Sequence, residues 1–330
     1  MSVELGRPRR VEATLAYAAS TPRMSPRKWT IVAPMPPVLA SQREITAETT
    51  PPAKTSAEAA GLKRPILIWN MPAEDPPRRQ MAVGICYTLD LIPRQLVARA
   101  PAANSVAALT PDERAAFTAP GRLTDFESPA FQAWIDEHAL RPKGKETDLD
   151  FVRRVFLEIK DGSGFEFKEK MDRRASVVCK GMKSDCGGLT ALFVATLRAS
   201  GIPARQLVGR WAESAEKDEK LDGMEWQKEH VKAEFYAAGI GWVPVDMSVA
   251  VDIDRRAGSL RHFGRDNADF IVMHIEPDVS VEIEQMGKRS MQFFQEPVYF
   301  VSGPGTMDRA SSKSDWHVAP FSPPAGAPRR

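Results

Sequence analysis

The chain has 330 residues, of which 43% are hydrophobic and 27% are charged, and its formal net charge is +2. This is an ordinary globular composition, long enough for two domains or for one large domain with an appendage. The interspersed charges exclude a nucleic-acid-binding stripe and a polybasic membrane patch, and no apolar run has the length of a membrane-spanning helix.

The N-terminal segment contains arginines but no continuous apolar stretch, because Glu12 interrupts it, so no signal peptide is predicted. The compartment stays open: cytoplasmic by default, and extracytoplasmic if a signal peptide has been removed. Cys86, Cys179 and Cys186 are too few for a disulfide framework and odd in number, so we expect at least one free thiol.

Four segments in the first part of the chain combine β-branched and aromatic residues with proline-containing turns. They read RKWTIVAPMPP, SQREITAETTPP, RPILIWNMPAEDPP and RQMAVGICYTLDLIP. The pattern predicts a β-sandwich or a curled sheet, so residues 1–105 are predicted to form a β-rich N-terminal domain. The segment ALTPDERAAFTAPG that follows is predicted to be a linker with a short helix.

Helices are predicted next. ESPAFQAWIDEHAL begins with Ser128 and Pro129, a suitable N-cap and first helical residue. TDLDFVRRVFLEIK has an apolar stripe at helical spacing. A third helix begins near DCGGLTALFVATLRAS and ends at Gly201, with Pro203 two residues beyond.

Short strands are predicted after these helices, in RQLVGRW, HVKAEFYA, GWVPVDMS and FIVMHI. Helices followed by an antiparallel sheet indicate an α+β domain, placed at residues 106–290. The charged segment 212–229 is predicted to be a solvated loop or the rim of a cleft. Residues 291–330 are predicted to be a C-terminal strand and a proline-rich tail.

The start of the third helix carries the first sign of chemistry. Glycine weakens a helix by roughly 1 kcal/mol relative to alanine, so Gly187 and Gly188 indicate that some group approaches the backbone there. With Ser184 or Asp185 as N-cap, the sulfur of Cys186 would face the positive end of the helix dipole. Cys186 is therefore predicted to be a nucleophile with a lowered pKa.

A base and an orienting carboxylate follow on two neighbouring strands. His230 begins the segment HVKAEFY and Asp246 ends GWVPVD, and the short link AAGIG predicts an antiparallel hairpin between them. Asp246 would then fix the imidazole tautomer and stabilise the imidazolium, and Cys186 would be the activated nucleophile. The structural alternatives are a buried cysteine, a strand-edge histidine and a turn-initiating aspartate.

The blocks DCGGLTALFVATLRASGIPAR, HVKAEFYAAGIGWVPVD and HFGRDNADFIV together resemble the core of the transglutaminase-like superfamily, which has a papain-like fold. The resemblance implies a helix that carries the catalytic cysteine packed on an antiparallel sheet. It implies the catalytic residues Cys186, His230 and Asp246, and no metal or organic cofactor. The β-rich N-terminal part is similar to the β domain that precedes such cores in bacterial members.

Two features depart from the family pattern. Lys232 stands where many members have tryptophan, on the same strand face as His230. Its charge is expected to disfavour the imidazolium or to attract acidic substrates, unless the side chain reaches solvent. The stretch RASVVCKGMKS lacks the usual Gln, Trp or Tyr oxyanion donor. The backbone N–H of Cys186 would be one donor, and Lys180 and Lys183 are candidates for the second.

The sequence therefore predicts a cysteine-dependent enzyme that acts on amide or peptide bonds through a thioester intermediate. Hydrolysis, as in a protease or amidase, is the expected outcome, and transfer to an amine, as in a protein-glutamine crosslinking transglutaminase, is the alternative. A non-catalytic peptide-binding member of the family is a further alternative. The expected partner is a peptide, a protein or another amide-containing acyl donor, and its identity and the oligomeric state stay open.

Overall fold

Strands lie at both ends of the chain and helices lie between them in the computed structural model. The structure describes residues 1–58, 62, 64–72, 74–99, 106–212, 220, 221, 224, 225, 229–254, 256–284 and 286–322. Among the described helices, none combines the length with the apolar character that a membrane span requires.

In the described part of the chain, eight strands precede the first helix, and the central part is mainly helical. The strands that precede the first helix are β1 (Ser2–Leu5), β2 (Arg9–Ser20), β3 (Lys28–Pro34), β4 (Gln42–Thr50), β5 (Lys54–Ala57), β6 (Pro65–Pro72), β7 (Gln80–Leu91) and β8 (Arg94–Val97). The central elements are α1 (Pro111–Thr118), α2 (Pro129–Glu137), α3 (Asp148–Gly162), β9 (Gly164–Phe165), α4 (Ala175–Gly181), β10 (Lys183–Ser184) and α5 (Cys186–Ala199).

Strands again predominate after α5. The remaining elements are β11 (Ala204–Trp211), β12 (Lys220–Leu221), β13 (Met224–Glu225), β14 (Glu229–Ala237), β15 (Gly241–Val245), α6 (Met247–Asp252), β16 (Arg265–Asp266), β17 (Phe270–Ile275), β18 (Asp278–Ile283), β19 (Gly287–Gln292), β20 (Val298–Ser302) and β21 (Ser311–Pro320). The α+β class and the β-rich N-terminal region are thus confirmed.

The N-terminal region is a sandwich of two four-stranded antiparallel sheets, with strand orders β21-β2-β7-β4 and β20-β3-β6-β5. The four predicted segments became β3, β4, β6 and β7. Strand β2 was not predicted, although its buried and outward residues alternate with the period of a half-buried strand. Strands β20 and β21 are hydrogen-bonded into these sheets rather than forming a C-terminal unit of their own. The boundaries at residues 105 and 290 stay a prediction.

The second half is built on the antiparallel sheet β15-β14-β11-β17. Helix α5 packs on one face of this sheet, and its residues are buried on nearly every side, as expected for a central helix. The hydroxyl of Thr190 on α5 donates to the carbonyl oxygen of Val231 on β14 at 3.2 Å. Ile271 and Met273 on β17 join the core of the N-terminal sandwich, so the two halves share buried surface.

A set of buried ion pairs ties β8 to the central sheet. The Glu234 carboxylate on β14 is fully buried and accepts hydrogen bonds from Arg94 at 2.5 Å and Arg205 at 2.8 Å. Arg94 also donates to Asp266 on β16 at 2.9 Å. The guanidinium of Arg205 lies 3.9 Å from the centre of the Trp242 ring. Since an unpaired charge in the interior is costly, each of these groups depends on its partners.

We expect Glu234→Gln to lower the free energy of unfolding by about 3–5 kcal/mol, because it leaves two buried guanidinium groups without their shared carboxylate. Denaturant-induced unfolding followed by circular dichroism measures this loss. Asp150→Asn, which removes an exposed pair with Arg153, is the matched control and should leave the transition nearly unchanged. Equal effects of the two substitutions would contradict the prediction.

Candidate active site

The N-terminus of α5 is fixed by its cap and by an arginine. Asp185 is the N-cap, and its side chain accepts a hydrogen bond from the backbone N–H of Gly188 at 3.2 Å. The guanidinium of Arg173 holds the same carboxylate at 2.6 and 2.8 Å. Cys186 is the first helical residue and is half-buried, so its sulfur lies at the helix end that faces the cleft.

Both glycines after the cysteine are required by close packing within the protein. A Cβ atom on Gly187 would lie 2.7 Å from the ring of Phe293, and one on Gly188 would lie 2.0 Å from the hydroxyl of Ser184. The expectation that a group approaches the backbone here is therefore met by two of the chain's own side chains.

His230 and Asp246 form a buried pair beside this helix end. The imidazole Nε2 lies 3.1 and 2.9 Å from the two carboxylate oxygens of Asp246. The Trp211 ring stacks on the imidazole at 4.4 Å with an interplanar angle of 19°, and Phe270 meets it edge-on. These contacts hold the imidazole plane, and the pairing with Asp246 through Nε2 leaves Nδ1 to exchange a proton with another group.

Asp246 is positioned by the end of its strand. Strands β14 and β15 form the predicted hairpin, in which Ala233 pairs with Val245. Strand β15 ends at Val245, one residue before Asp246. Asp246 then becomes the N-cap of α6, because its side chain accepts a hydrogen bond from the backbone N–H of Val249. Burial alone would raise the pKa of Asp246, but attraction and hydrogen bonding to His230 lower it to about 2. Asp246 is therefore an anion at neutral pH.

The prediction of a lowered pKa for Cys186 is wrong. Burial, followed by the nearby carboxylates of Asp185 and Asp246, raises the pKa of the Cys186 thiol to about 12. Backbone hydrogen bonding at Val231 and Gly187 acts in the opposite direction but is weaker. The helix dipole is thus outweighed by desolvation and two anions. At neutral pH the sulfur carries its proton. This sulfur lies next to the backbone of Val231, the residue that follows His230 on β14.

Lys232 lies on the same side of the sheet as His230 and does not reach solvent. Its ammonium donates to Asp269 at 2.8 Å and lies 3.8 Å from Asp266 and 3.9 Å from Asp246. Burial alone would lower its pKa, but these carboxylates raise it. With three internal anions around it, Lys232 is not available to attract an acidic substrate.

The candidates for the second oxyanion donor do not reach the cleft. Lys180 and Lys183 are both exposed, and neither lines the cavity beside Cys186. This donor stays unassigned.

Residues 213–219, 222, 223 and 226–228 lie outside the described part of the chain, so the proposed role of segment 212–229 as a cleft rim stays a prediction. Within the described part, no cluster of His, Cys, Asp and Glu side chains could hold a metal ion.

Sequence reasoning missed two residues that lie at the site, Phe293 and Gln295. The side-chain amide of Gln295 donates to the carbonyl oxygens of Gly209 at 2.8 Å and of His230 at 2.9 Å. Both residues come more than 60 positions after His230 in the sequence. Nothing in their local sequence signals that they return to the site, because only the tertiary fold brings them there.

Comparison with known sequences relates the central region to a family. Residues 138–247, which contain Cys186, His230 and Asp246, match the transglutaminase-like superfamily. An uncharacterised protein from Haemophilus influenzae is 39% identical over 77 residues, or 20% of this chain and 21% of the relative. The chain therefore matches about a fifth of that relative's length.

One solved structure shows the same fold over most of the chain. A proposed cysteine protease from Cytophaga hutchinsonii aligns with 97% of this chain and 93% of its own, with a TM-score of 0.56 and 15% identity. The periplasmic domain of TgpA from Pseudomonas aeruginosa aligns with 76% of this chain and 93% of its own at 14% identity, with a TM-score of only 0.38. The first of these alignments includes the N-terminal sandwich as well as the central sheet.

We expect iodoacetamide to alkylate Cys186 slowly at pH 7 and faster as the pH rises, because only the thiolate reacts and the raised pKa of Cys186 keeps it scarce. The rate should be at least about a hundredfold below that of the same residue in the unfolded chain. Peptide mass mapping measures it, with Cys86 as internal control. Preferential labelling of Cys186 at pH 6 would contradict the raised pKa.

Lys232→Met should move the acidic limb of a pH–rate profile to higher pH. The substitution removes a cation 3.9 Å from Asp246, so the remaining carboxylates favour the imidazolium of His230 more strongly. Lys232→Arg retains the charge and is the control that should restore the original limb. Circular dichroism checks that both variants are folded. An unchanged limb in folded Lys232→Met would show that Lys232 does not act on the imidazole.

Proposed function

Because residues 138–247 match the transglutaminase-like superfamily, we propose that this chain is a cysteine-dependent hydrolase of amide or peptide bonds. The observation that carries the proposal is the buried pair of His230 Nε2 and Asp246, together with Cys186 at an open cleft, where the Asp246 carboxylate is near enough to raise the pKa of the thiol. A nucleophile, a base and a carboxylate that orients the base are the parts that such a reaction needs.

The reaction begins with a neutral thiol. His230 accepts the thiol proton at Nδ1 while the sulfur of Cys186 attacks the substrate carbonyl, and Asp246 stabilises the imidazolium that forms. The backbone N–H of Cys186 faces the oxygen that gains negative charge. The carbon–nitrogen bond then breaks, and the imidazolium returns the proton to the departing amine. This leaves a thioester on Cys186.

Water completes the reaction. His230 takes a proton from a water molecule, the resulting hydroxide attacks the thioester carbonyl, and the proton returns to the sulfur as the carboxylic acid leaves. An amine in place of water would give a new amide instead. Either outcome uses the same three residues, so adding an amine acceptor to the assay distinguishes hydrolysis from transfer.

We expect Cys186→Ala and His230→Ala each to abolish turnover, by about a thousandfold or more, because the nucleophile and its base act as a unit. Asp246→Asn should retain measurable activity, since Asp246 orients the base and does not itself react. Hydrolysis of fluorescently labelled casein measures turnover, and intact mass spectrometry with an activated ester detects acylation of Cys186. Cys86→Ser, in the N-terminal sandwich, is the control that should behave as wild type.

Two results would contradict the proposal. Full activity of His230→Ala would assign the base to another residue. Complete absence of acylation and turnover in the wild-type protein would favour the non-catalytic, peptide-binding alternative.

A further inference from the structure

The cleft beside Cys186 has an apolar wall that the proposed chemistry does not use. A cavity of about 540 Å³ opens at the cysteine, and three phenylalanine rings from two separate segments of the chain line it. They are Phe165 on β9, Phe167 in the loop after it, and Phe293 just after β19. Phe167 is 67% exposed, although a large apolar side chain is costly to leave in water. Preformed apolar cavities with few polar groups are typical of ligand sites.

Phe293 is held in an unfavourable backbone conformation next to the cysteine. Its φ angle of 51° lies in the left-handed region, which costs a bulky residue free energy and is found where the surroundings enforce it. Its ring lies on Gly187, and the guanidinium of Arg173 lies 5.6 Å from the ring centre. The backbone N–H of Phe293 donates to the carbonyl oxygen of Pro277 at 2.8 Å, which fixes the turn.

The segment that bears Phe293 connects the two elements of the candidate active site. Phe293 contacts the N-terminus of α5, and two residues later Gln295 is hydrogen-bonded to the main chain of His230. The placement of the ring is therefore tied to the placement of both the nucleophile and the base. Both residues lie outside the region that matches the family, 138–247.

Among the described residues, each charged side chain that lines this cleft has an oppositely charged partner. Asp185 is paired with Arg173, and Glu229 at the rim is paired with the buried Arg210 at 3.0 Å. Each of these charges already has an opposite charge as its neighbour. The wall next to the sulfur therefore offers apolar surface, and a charged substrate side chain would lose its hydration there without gaining a counter-ion.

We propose that this cleft is a subsite for a large apolar or aromatic side chain of the acyl donor, and that Phe293 determines this preference. The inference rests on the proposed function, because it takes Cys186 as the point where the acyl group is attacked. Phe165 and Phe167 form the remainder of the apolar wall. The substrates are then peptides or amides with a bulky apolar residue at or next to the reacting carbonyl.

Binding of blocked dipeptide amides tests the subsite without requiring turnover. Full-length Cys186→Ala protein is titrated calorimetrically with N-acetyl-Ala-Phe-amide and with N-acetyl-Ala-Ala-amide. The phenylalanine peptide should bind about tenfold more tightly, as expected for burial of a benzyl group. Adding Phe293→Ala should reduce this ratio to threefold or less. Adding Phe321→Ala instead, an aromatic ring that packs on Arg10 away from the cleft, is the matched control and should preserve it.

The position of the Phe293 ring is tested separately, by measuring thermal stability. Gly187→Ala places a Cβ atom 2.7 Å from the Phe293 ring, so it should lower the melting temperature in the wild-type background. In a Phe293→Ala background most of that loss should disappear, because the clash is gone. Additive effects would show that the ring does not lie on Gly187 and would overturn the structural basis of the subsite.

The two proposals fail in different ways. An equal affinity for the two dipeptides, together with acylation of Cys186 by an activated ester, overturns the subsite and leaves the proposed function intact. A tenfold preference that depends on Phe293, in a protein whose Cys186 is never acylated, supports an apolar side-chain site in the cleft but overturns the proposed hydrolysis and, with it, the assignment of this site to an acyl donor.

Discussion

A continuous series of buried ion pairs, which ends in the hydrogen-bonded contact between Asp246 and His230, holds the candidate active site in place. It begins at the Arg205 guanidinium and continues, by contacts of 2.5 to 3.9 Å, through Glu234, Arg94, Asp266, Lys232 and Asp246 to His230. Its members come from β8, β11, β14 and β16 and from the N-cap of α6. In an interior of low dielectric constant each charge needs its neighbours, so the series fixes the positions of all these elements relative to one another.

The same electrostatics set the resting state of the site. Asp246 is anionic because His230 and Lys232 stabilise its charge, and that anion helps to keep the Cys186 thiol protonated. The helix dipole favours a thiolate at this position, but burial and two carboxylates exceed it. In the resting protein the sulfur of Cys186 therefore carries its proton. In the proposed reaction this proton leaves when the carbonyl is attacked.

The candidate site also depends on parts of the chain far from it in sequence. Arg94 comes from the last strand of the N-terminal region, and Gln295 comes from a segment just before β20. Strands β20 and β21 return to the N-terminal sheets, so the segment between β19 and β20 is fixed at both ends. The central domain therefore receives both a supporting cation and a wall of its cleft from the β-rich regions around it.

Local signals in the sequence predict most of the strands and helices and the three candidate residues Cys186, His230 and Asp246. Apolar periodicity, a proline at a helix start and a short glycine-containing link are local signals, and Asp246 is only 16 positions after His230 along one hairpin. The sequence could not place β20 and β21, Arg94 or Phe293, because strand pairing and burial join residues more than a hundred positions apart. The raised pKa of Cys186 also follows from the tertiary fold, because its largest cause is burial of the sulfur, which depends on the groups packed around it.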